Sequence, residues 1–247
     1  MRQIDVLSLY TNDMSFYGDM GNVLIISKRL SFYGFEPVIH FYNPGDRFPD
    51  HVDMVFGGGG QDSGQKNIFD DLQKRGEKLR QLASQGVPML MICGMYQLFG
   101  KYFLTNSGKK IPGISVFDVY TEATLDRLIG NLVEESKLFG RLVGFENHSG
   151  QTYFSSPLHP LGRVISGGGN NSKDKLDGAM VNNAIGTYLH GPVLSKNPKL
   201  ADFLISSVQF IRSVVSYFLQ THELQHARPP CQSPTPGVHP NSCPSSW

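Results

Sequence analysis

Four consecutive apolar residues, Met89-Leu90-Met91-Ile92, run directly into Cys93-Gly94. A run so short and so uniformly apolar has no solvent face, so it reads as a strand covered on both sides. That restricts the chain to a sheet sandwiched between helices, and the first half supplies the other pieces. Ile4 to Tyr10, Val38 to Tyr42 and Val52 to Phe56 read as strands. Asn22 to Tyr33 reads as a helix closed by Gly34. Asn67 to Ser84 reads as a second, with Ile68, Leu72, Leu79 and Leu82 on one stripe and Gly86-Val87-Pro88 at its end. Strands joined through helices of this length pair in parallel with helices on both faces. The expected fold is therefore α/β, in three layers, with a mostly parallel sheet flanked by helices.

Beyond Ile111 the pattern changes. Strand-like runs recur at Val116 to Tyr120, Leu142 to Phe145 and Ile185 to Leu189, with fewer helices between them and a long polar stretch from Gly167 to Gly178. This half is expected to be more antiparallel, within one continuous domain over residues 1–227 whose last helix runs from about Pro198 to His226. Arg228 to Trp247 is rich in Pro, Ser, Cys and His and nearly free of aliphatics. Such a segment buries too little to offset its ordering entropy, so residues 228–247 are expected to be a disordered or atypical tail.

The 22 Lys+Arg against 21 Asp+Glu leave a formal charge of +1, which gives no electrostatic case for a nucleic-acid partner or an anionic membrane. No stretch approaches the roughly 20 consecutive apolar residues that span a bilayer. Met1-Arg2-Gln3-Ile4-Asp5 enters a strand-like run without a signal-peptide core. Two of the three cysteines, Cys231 and Cys243, fall in the tail, so a disulfide framework is not expected and a cytoplasmic location is.

Three features carry chemistry. A cysteine between a buried strand and helix-compatible residues, Ile92-Cys93-Gly94-Met95-Tyr96-Gln97, matches a nucleophile elbow, where a sharp turn lifts the side chain above the sheet. The helix N-terminus behind it favours the reactive thiolate. A buried structural cysteine is the alternative. The second feature is Phe56-Gly57-Gly58-Gly59-Gly60-Gln61-Asp62, where glycines leave backbone N–H groups open to an anion. Gly59 to Gly64 is followed by Gln65-Lys66, a near miss to a phosphate loop that lacks its metal-binding hydroxyl. A dinucleotide fingerprint would follow the first strand, not the third. An oxyanion hole and a structural turn remain. The third feature is Gly186-Thr187-Tyr188-Leu189-His190-Gly191-Pro192, a histidine at the end of a strand-like run, where a structural role is the alternative. Cysteine and histidine at strand ends, with a glycine-rich anion loop, fit cysteine acyl transfer. Cys93, His148 and His190 lack metal-ligand spacing, and no metal is expected.

These stretches, with Tyr17-Gly18-Asp19-Met20-Gly21-Asn22, Tyr120-Thr121-Glu122, Arg127-Leu128-Ile129-Gly130 and Gly144-Phe145-Glu146-Asn147-His148-Ser149-Gly150, resemble the class I glutamine amidotransferases from about Leu7 to Leu204. Within them the chain looks most like the cobyric-acid-synthase-like branch, and the glutaminase subunits of lipid II isoglutaminyl synthases in particular. The resemblance implies a flavodoxin-like core and a Cys93 thiol that attacks the side-chain amide of L-glutamine. It implies that His190 activates the thiol and protonates departing ammonia. It further implies Gly59 and Gly94 as oxyanion donors, Arg127 on the glutamine α-carboxylate, and Gln97 near the substrate amide. No cofactor is implied in this chain. ATP would be bound by a Mur-ligase-like synthetase subunit that forms a heterodimer with it, with lipid II as acceptor and the inner face of the membrane reached through that partner.

Two departures accompany the resemblance. The glutamate that commonly follows the catalytic histidine by two residues is replaced by Pro192, with no acid until Asp202. The cobyric-acid-like branch shares this absence, and the expectation is that the partner subunit donates a carboxylate to His190. Met95 stands where a second glycine is usual, which would narrow the elbow. A corrinoid amidotransferase, a DJ-1-like cysteine hydrolase and a non-catalytic glutamine- or partner-binding module are the alternative readings.

Overall fold

The first strand, β1 (Arg2–Leu9), buries Ile4, Val6, Leu7 and Leu9 and leads through α1 (Met20–Phe32) into β2 (Phe35–Tyr42), which pairs with it in parallel. The turn between helix and strand uses Gly34 at φ +79°, a conformation open to glycine without strain. A loop then crosses to β3 (Met54–Gly57) on the other side of β1, and α2 (Asp62–Ser84) leads to β4 (Met89–Ile92). This computed structural model describes residues 2–208 apart from Phe16 and Gln61, with Asp62 described by its backbone alone. The expected tail, 228–247, and the expected last helix beyond residue 208 lie outside the described residues; residues 198–208 are helical.

The first sheet runs β11-β12-β4-β3-β1-β2. Here β12 (Ala184–Thr187) is parallel to β4, and β11 (Ala179–Val181) is an antiparallel edge. Read without β11, this is the flavodoxin-like order, and growth in opposite directions from β1 and β3 sends α1 and α2 to opposite faces by the right-handed crossover rule. The three expected layers follow. The stripe Ile68, Leu72, Leu79 and Leu82 is buried, and so is every residue of β4. The helix α2 starts at Asp62, before the expected Asn67, because its first turn is polar and carries no stripe.

The second sheet fills the chain between α3 (Gly94–Phe99) and β11. It contains β5 (Tyr102–Leu104), β6 (Lys110–Pro112), β7 (Val119–Ser136), β8 (Gly140–Phe154), β9 (Gly162–Ser166) and β10 (Leu176–Asp177), ordered β10-β9-β7-β5-β6 with β8 on β7. All its pairs but β5 with β7 are antiparallel, as the change of pattern suggested. The short runs at Val116 to Tyr120 and Leu142 to Phe145 are corrected to one long hairpin. The buried face of β7 includes Thr121, Glu134 and Ser136 beside Val119 and Leu132, so polarity alternation does not reveal it. The expected loop from Gly167 to Gly178 contains β10 and turns inward, with Asn170 and Asn171 buried. Among the described residues no helix is long and apolar enough to cross a membrane.

Candidate active site

The apolar strand β4 ends at Ile92, and the chain turns into α3 through Cys93 at φ 49°, ψ −105°. A non-glycine residue there is strained by about 1–3 kcal/mol and persists only when its surroundings hold it. Two bonds do so: the Cys93 N–H donates to Thr187 O at 2.9 Å, and the Gln97 N–H donates to Cys93 O at 2.9 Å. This is the elbow geometry expected from the sequence. The thiol is 5% exposed and opens onto a cavity of about 360 Å³ that Arg127, Asn147, Gly60 and Gln97 also line. Met95 does not narrow the elbow. Its side chain lies behind it on Gly57, where an added Cβ would come within 2.9 Å of Met95 Cγ.

The strand β12 ends at Thr187, short of the expected Leu189, and His190 reaches the same site from the following turn. His190 exchanges backbone hydrogen bonds with Phe145 of β8, donating at 2.7 Å and accepting at 3.2 Å. Its Nδ1 lies 3.2 Å and 3.1 Å from the two carboxylate oxygens of Asp19. The Nε2 has no hydrogen-bond partner among the described residues. Burial disfavours the imidazolium, but the hydrogen bond to Asp19, the nearby Cys93 sulfur and both negative charges outweigh it and push His190 up to about 10.

Asp19 corrects the expectation that a partner supplies the carboxylate. It was visible in the Tyr17 to Asn22 stretch but carried no local sign of its role. By position it is the N-cap of α1, yet its side chain makes no capping bond and turns instead to His190 and to the Gly59 N–H, 2.7 Å away. Pro192 explains how it gets there. A Cβ on Gly21 would lie 2.2 Å from Pro192 Cγ, and Asn22 Oδ1 accepts the Leu194 N–H at 3.0 Å. The position that holds an acid in other triads thus packs against the helix that delivers one. Asp202, the next acid in sequence, pairs with Arg29. Gly21→Ala is expected to destabilise the fold by about 1–3 kcal/mol and to lower turnover, as overpacking shifts Asp19. Thermal melts and initial rates on the same preparation check both effects.

Gly59 is the second correction. Its N–H is engaged by Asp19, and a side chain there would meet His190 Cε1 at 2.6 Å, so Gly59 is the shelf on which the imidazole lies. The next residue, Gly60, lines the cavity with Cys93, and its nitrogen approaches the Cα side of Gly94. Gly94 opens α3, so its N–H has no intrahelical acceptor. The N–H pair available to an oxyanion is therefore Gly60 with Gly94, one residue beyond the sequence expectation. Four glycines in a row left the register of that loop undetermined.

Arg127 sits in the irregular step of β7 between Ala123 and Leu128, and its Nε donates to Asn147 Oδ1 at 2.8 Å. That bond fixes the guanidinium plane at the cavity wall. Gln97 is also in the wall, but its amide is engaged at both ends: Nε2 donates to Tyr188 Oη at 3.0 Å and Oε1 accepts from Gln65 at 3.0 Å. These two bonds hold its amide in place in the wall of the cavity that Cys93 opens onto. His148 stacks on Tyr188 with ring centroids 3.5 Å apart and donates from Nδ1 to Gly150 O at 2.7 Å, contacts that fix its ring in the cavity wall.

A thiol, a glycine backbone and a guanidinium thus line one cavity, with the Gly94 N–H next in sequence to the thiol and an imidazole oriented by a carboxylate near the sulfur. Residues 5–198 match the CobB/CobQ-like glutamine amidotransferase domain. The chain belongs to that family. It is 36% identical over 206 residues to the lipid II isoglutaminyl synthase (glutamine-hydrolyzing) subunit GatD of Staphylococcus aureus, covering 83% of this chain and 84% of that one. Against the subunit of the same name from Streptococcus pneumoniae it is 38% identical, covering 83% and 80%. A probable cobyric acid synthase of Methanopyrus kandleri is 34% identical over 69% of this chain but only 39% of its own length. Two solved structures share the fold at 14% identity. One, a glutamine amidotransferase, has a TM-score of 0.56, covering 82% of this chain and 98% of that one. The other, PurLQS from Thermotoga maritima, has a TM-score of 0.53, covering 83% and 99%. As a CobB/CobQ-like glutamine amidotransferase, the protein is a glutamine-hydrolysing enzyme.

Proposed function

We propose that this amidotransferase is the glutaminase subunit of a two-component synthetase that amidates lipid II. The carrying observation is its identity of 36–38% to two lipid II isoglutaminyl synthase subunits along most of both chains. The cobyric acid synthase relative is matched over less than half its length, so it supports the family and not the acceptor.

In the proposed reaction glutamine binds with its α-carboxylate on Arg127 and its side-chain carbonyl between the Gly60 and Gly94 N–H groups. The Cys93 thiolate attacks the amide carbon, and the carbonyl oxygen takes the negative charge. His190, protonated and held by Asp19, gives its proton to the amide nitrogen as the C–N bond breaks. Ammonia leaves and a thioester remains. Water, deprotonated by His190, then cleaves the thioester to glutamate and restores the thiolate–imidazolium pair.

Amide formation at a carboxylate requires activation, which we assign to a Mur-ligase-like partner that binds ATP. The acceptor is the α-carboxyl of D-glutamate in the lipid II stem peptide, converted to D-isoglutamine. The pair would work in the cytoplasm, reaching the inner membrane face through its lipid-linked substrate. Co-expression with the candidate ligase, followed by mass spectrometry of lipid II after supplying [amide-15N]glutamine, tests this reading. One 15N per stem peptide supports it; an unlabelled product overturns it. Arg127→Ala is expected to raise KM for glutamine by about 10- to 100-fold, because a charge-assisted carboxylate contact of about 1.5–3 kcal/mol is lost. Unchanged KM in a steady-state ammonia assay would count against that role.

A further inference from the structure

Glu134 and Asp177 are both fully buried, and neither carboxyl belongs to any ion pair among the described residues. Strand register brings them together. Glu134 of β7 lies opposite Val164 of β9, and Gly162 of β9 lies opposite Asp177 of β10. A Cβ on Gly162 would come within 2.8 Å of Glu134 Cδ, so the glutamate carboxyl fills the space that a side chain at 162 would take, beside Asp177. Asp177 is already committed: its Oδ2 accepts the Thr187 hydroxyl at 2.5 Å and its Oδ1 faces the Tyr188 N–H at 3.4 Å. Thr187 Oγ1 accepts in turn from the Leu189 N–H at 3.0 Å. These three residues immediately precede His190. Both oxygens of Glu134, by contrast, have no hydrogen-bond donor among the described residues.

Buried acceptors without a donor are costly, and two adjacent carboxylates without a cation are costlier still. One hydrogen resolves both problems. Asp177, which accepts from protein donors, is the carboxylate, and Glu134, which lacks them, is the acid that donates to it. We propose that Glu134 and Asp177 share a single proton, and that this acid pair is the footing of the Thr187–His190 turn, making both positioning residues for the imidazole.

Burial drives both groups toward the protonated form, Asp177 up to about 7 and Glu134 well above the ordinary glutamate value. The other ionisable groups facing the pair are Glu146 of β8, Tyr96 of α3 and Tyr188. Glu146 is occupied by the Gly168 and Gly169 N–H groups and by nearby His148, and none of the three brings a positive charge to the pair. Raising the pH therefore adds a second negative charge beneath the turn with nothing to balance it.

The kinetic part of this inference rests on the glutaminase reading; the shared proton does not. Infrared spectra of the full chain at neutral pH should show a carboxylic-acid carbonyl band that shifts in D2O and is missing in Glu134→Gln. Absence of that band in the wild-type protein overturns the shared proton, as does a metal ion that co-purifies with it and is lost in Glu134→Gln. Glu134→Gln keeps a donor on Asp177 but cannot ionise, so its rate profile should lose the part of the alkaline fall that the pair imposes and keep the part set by His190. Asp177→Asn should lower kcat by about 10- to 100-fold with little change in KM, the cost of displacing a reacting group by about 1 Å. A folded Asp177→Asn enzyme with normal kcat, or an unaltered alkaline fall in Glu134→Gln, overturns the positioning role. Should Asp177→Asn fail to fold, the Glu134→Gln profile decides alone. A wild-type chain inert toward glutamine, alone and with its synthetase, would sink the glutaminase reading and leave the infrared result standing.

Discussion

Cys93→Ala lowers glutamine hydrolysis by about 10⁴-fold or more, since removing the nucleophile leaves only binding and oxyanion stabilisation. A diazo-ketone analogue of glutamine should add its mass to wild-type protein at this residue and leave the alanine variant untouched. Labelling elsewhere in the cavity would overturn the assignment. A companion variant separates chemistry from folding. Cys93 occupies φ 49°, a backbone conformation that glycine adopts without penalty. Cys93→Gly is therefore expected to be equally inactive but more stable, by about 1 kcal/mol, from relief of that strain. A higher melting temperature in a dead enzyme would show that the elbow is held against its own preference.

Asp19→Asn is expected to cost about 10²- to 10⁴-fold in kcat with the fold intact. The carboxamide oxygen of the variant can still accept the Gly59 N–H, but its amide nitrogen then presents hydrogens to His190 Nδ1. That forces the neutral tautomer with its hydrogen on Nε2, so that nitrogen can no longer accept a proton from the thiol or from the attacking water. The pH dependence follows from the same pair. Folding raises the His190 pKa from 6.5 to about 10. The stability this contributes is complete below about 6.5 and is lost as the pH rises through about 10. Activity should fall over the upper part of that window as the imidazolium that protonates ammonia disappears. In Asp19→Asn the His190 pKa drops, so denaturation curves and rate profiles should both lose their alkaline reach. A full-activity Asp19→Asn enzyme would return the orienting role to a partner subunit.

The uneven legibility of this chain has physical causes. Met89 to Ile92 and the α2 stripe were readable because apolar residues with a clear period have one way to be buried. Cys93, Gly94, His190 and Arg127 were readable as residue types at turns and in a family pattern; Cys93 and Arg127 line one cavity, Gly94 follows the sulfur's residue and His190 lies near that sulfur. Asp19 was not, because its partner is 171 positions away and its local context is that of a helix cap. Nor was the choice between Gly59 and Gly60, which depends on which N–H the Asp19 carboxylate has already taken. The long hairpin was hidden for a related reason: Glu134 and Thr121 sit on its inner face, buried by contacts that exist only once the sheet has formed, such as Thr121 with Thr152 across the hairpin.

The placement of β12 beside β4 has a consequence for biosynthesis. A chain emerging from the ribosome presents the Cys93 sulfur about a hundred residues before the imidazole, with the β4 edge still bare and the Cys93 amide lacking its Thr187 acceptor. Until translation has passed that final parallel segment, the thiol has neither its base nor its fixed orientation. The sulfur and the imidazole are therefore brought together only when the last parallel strand has joined the sheet.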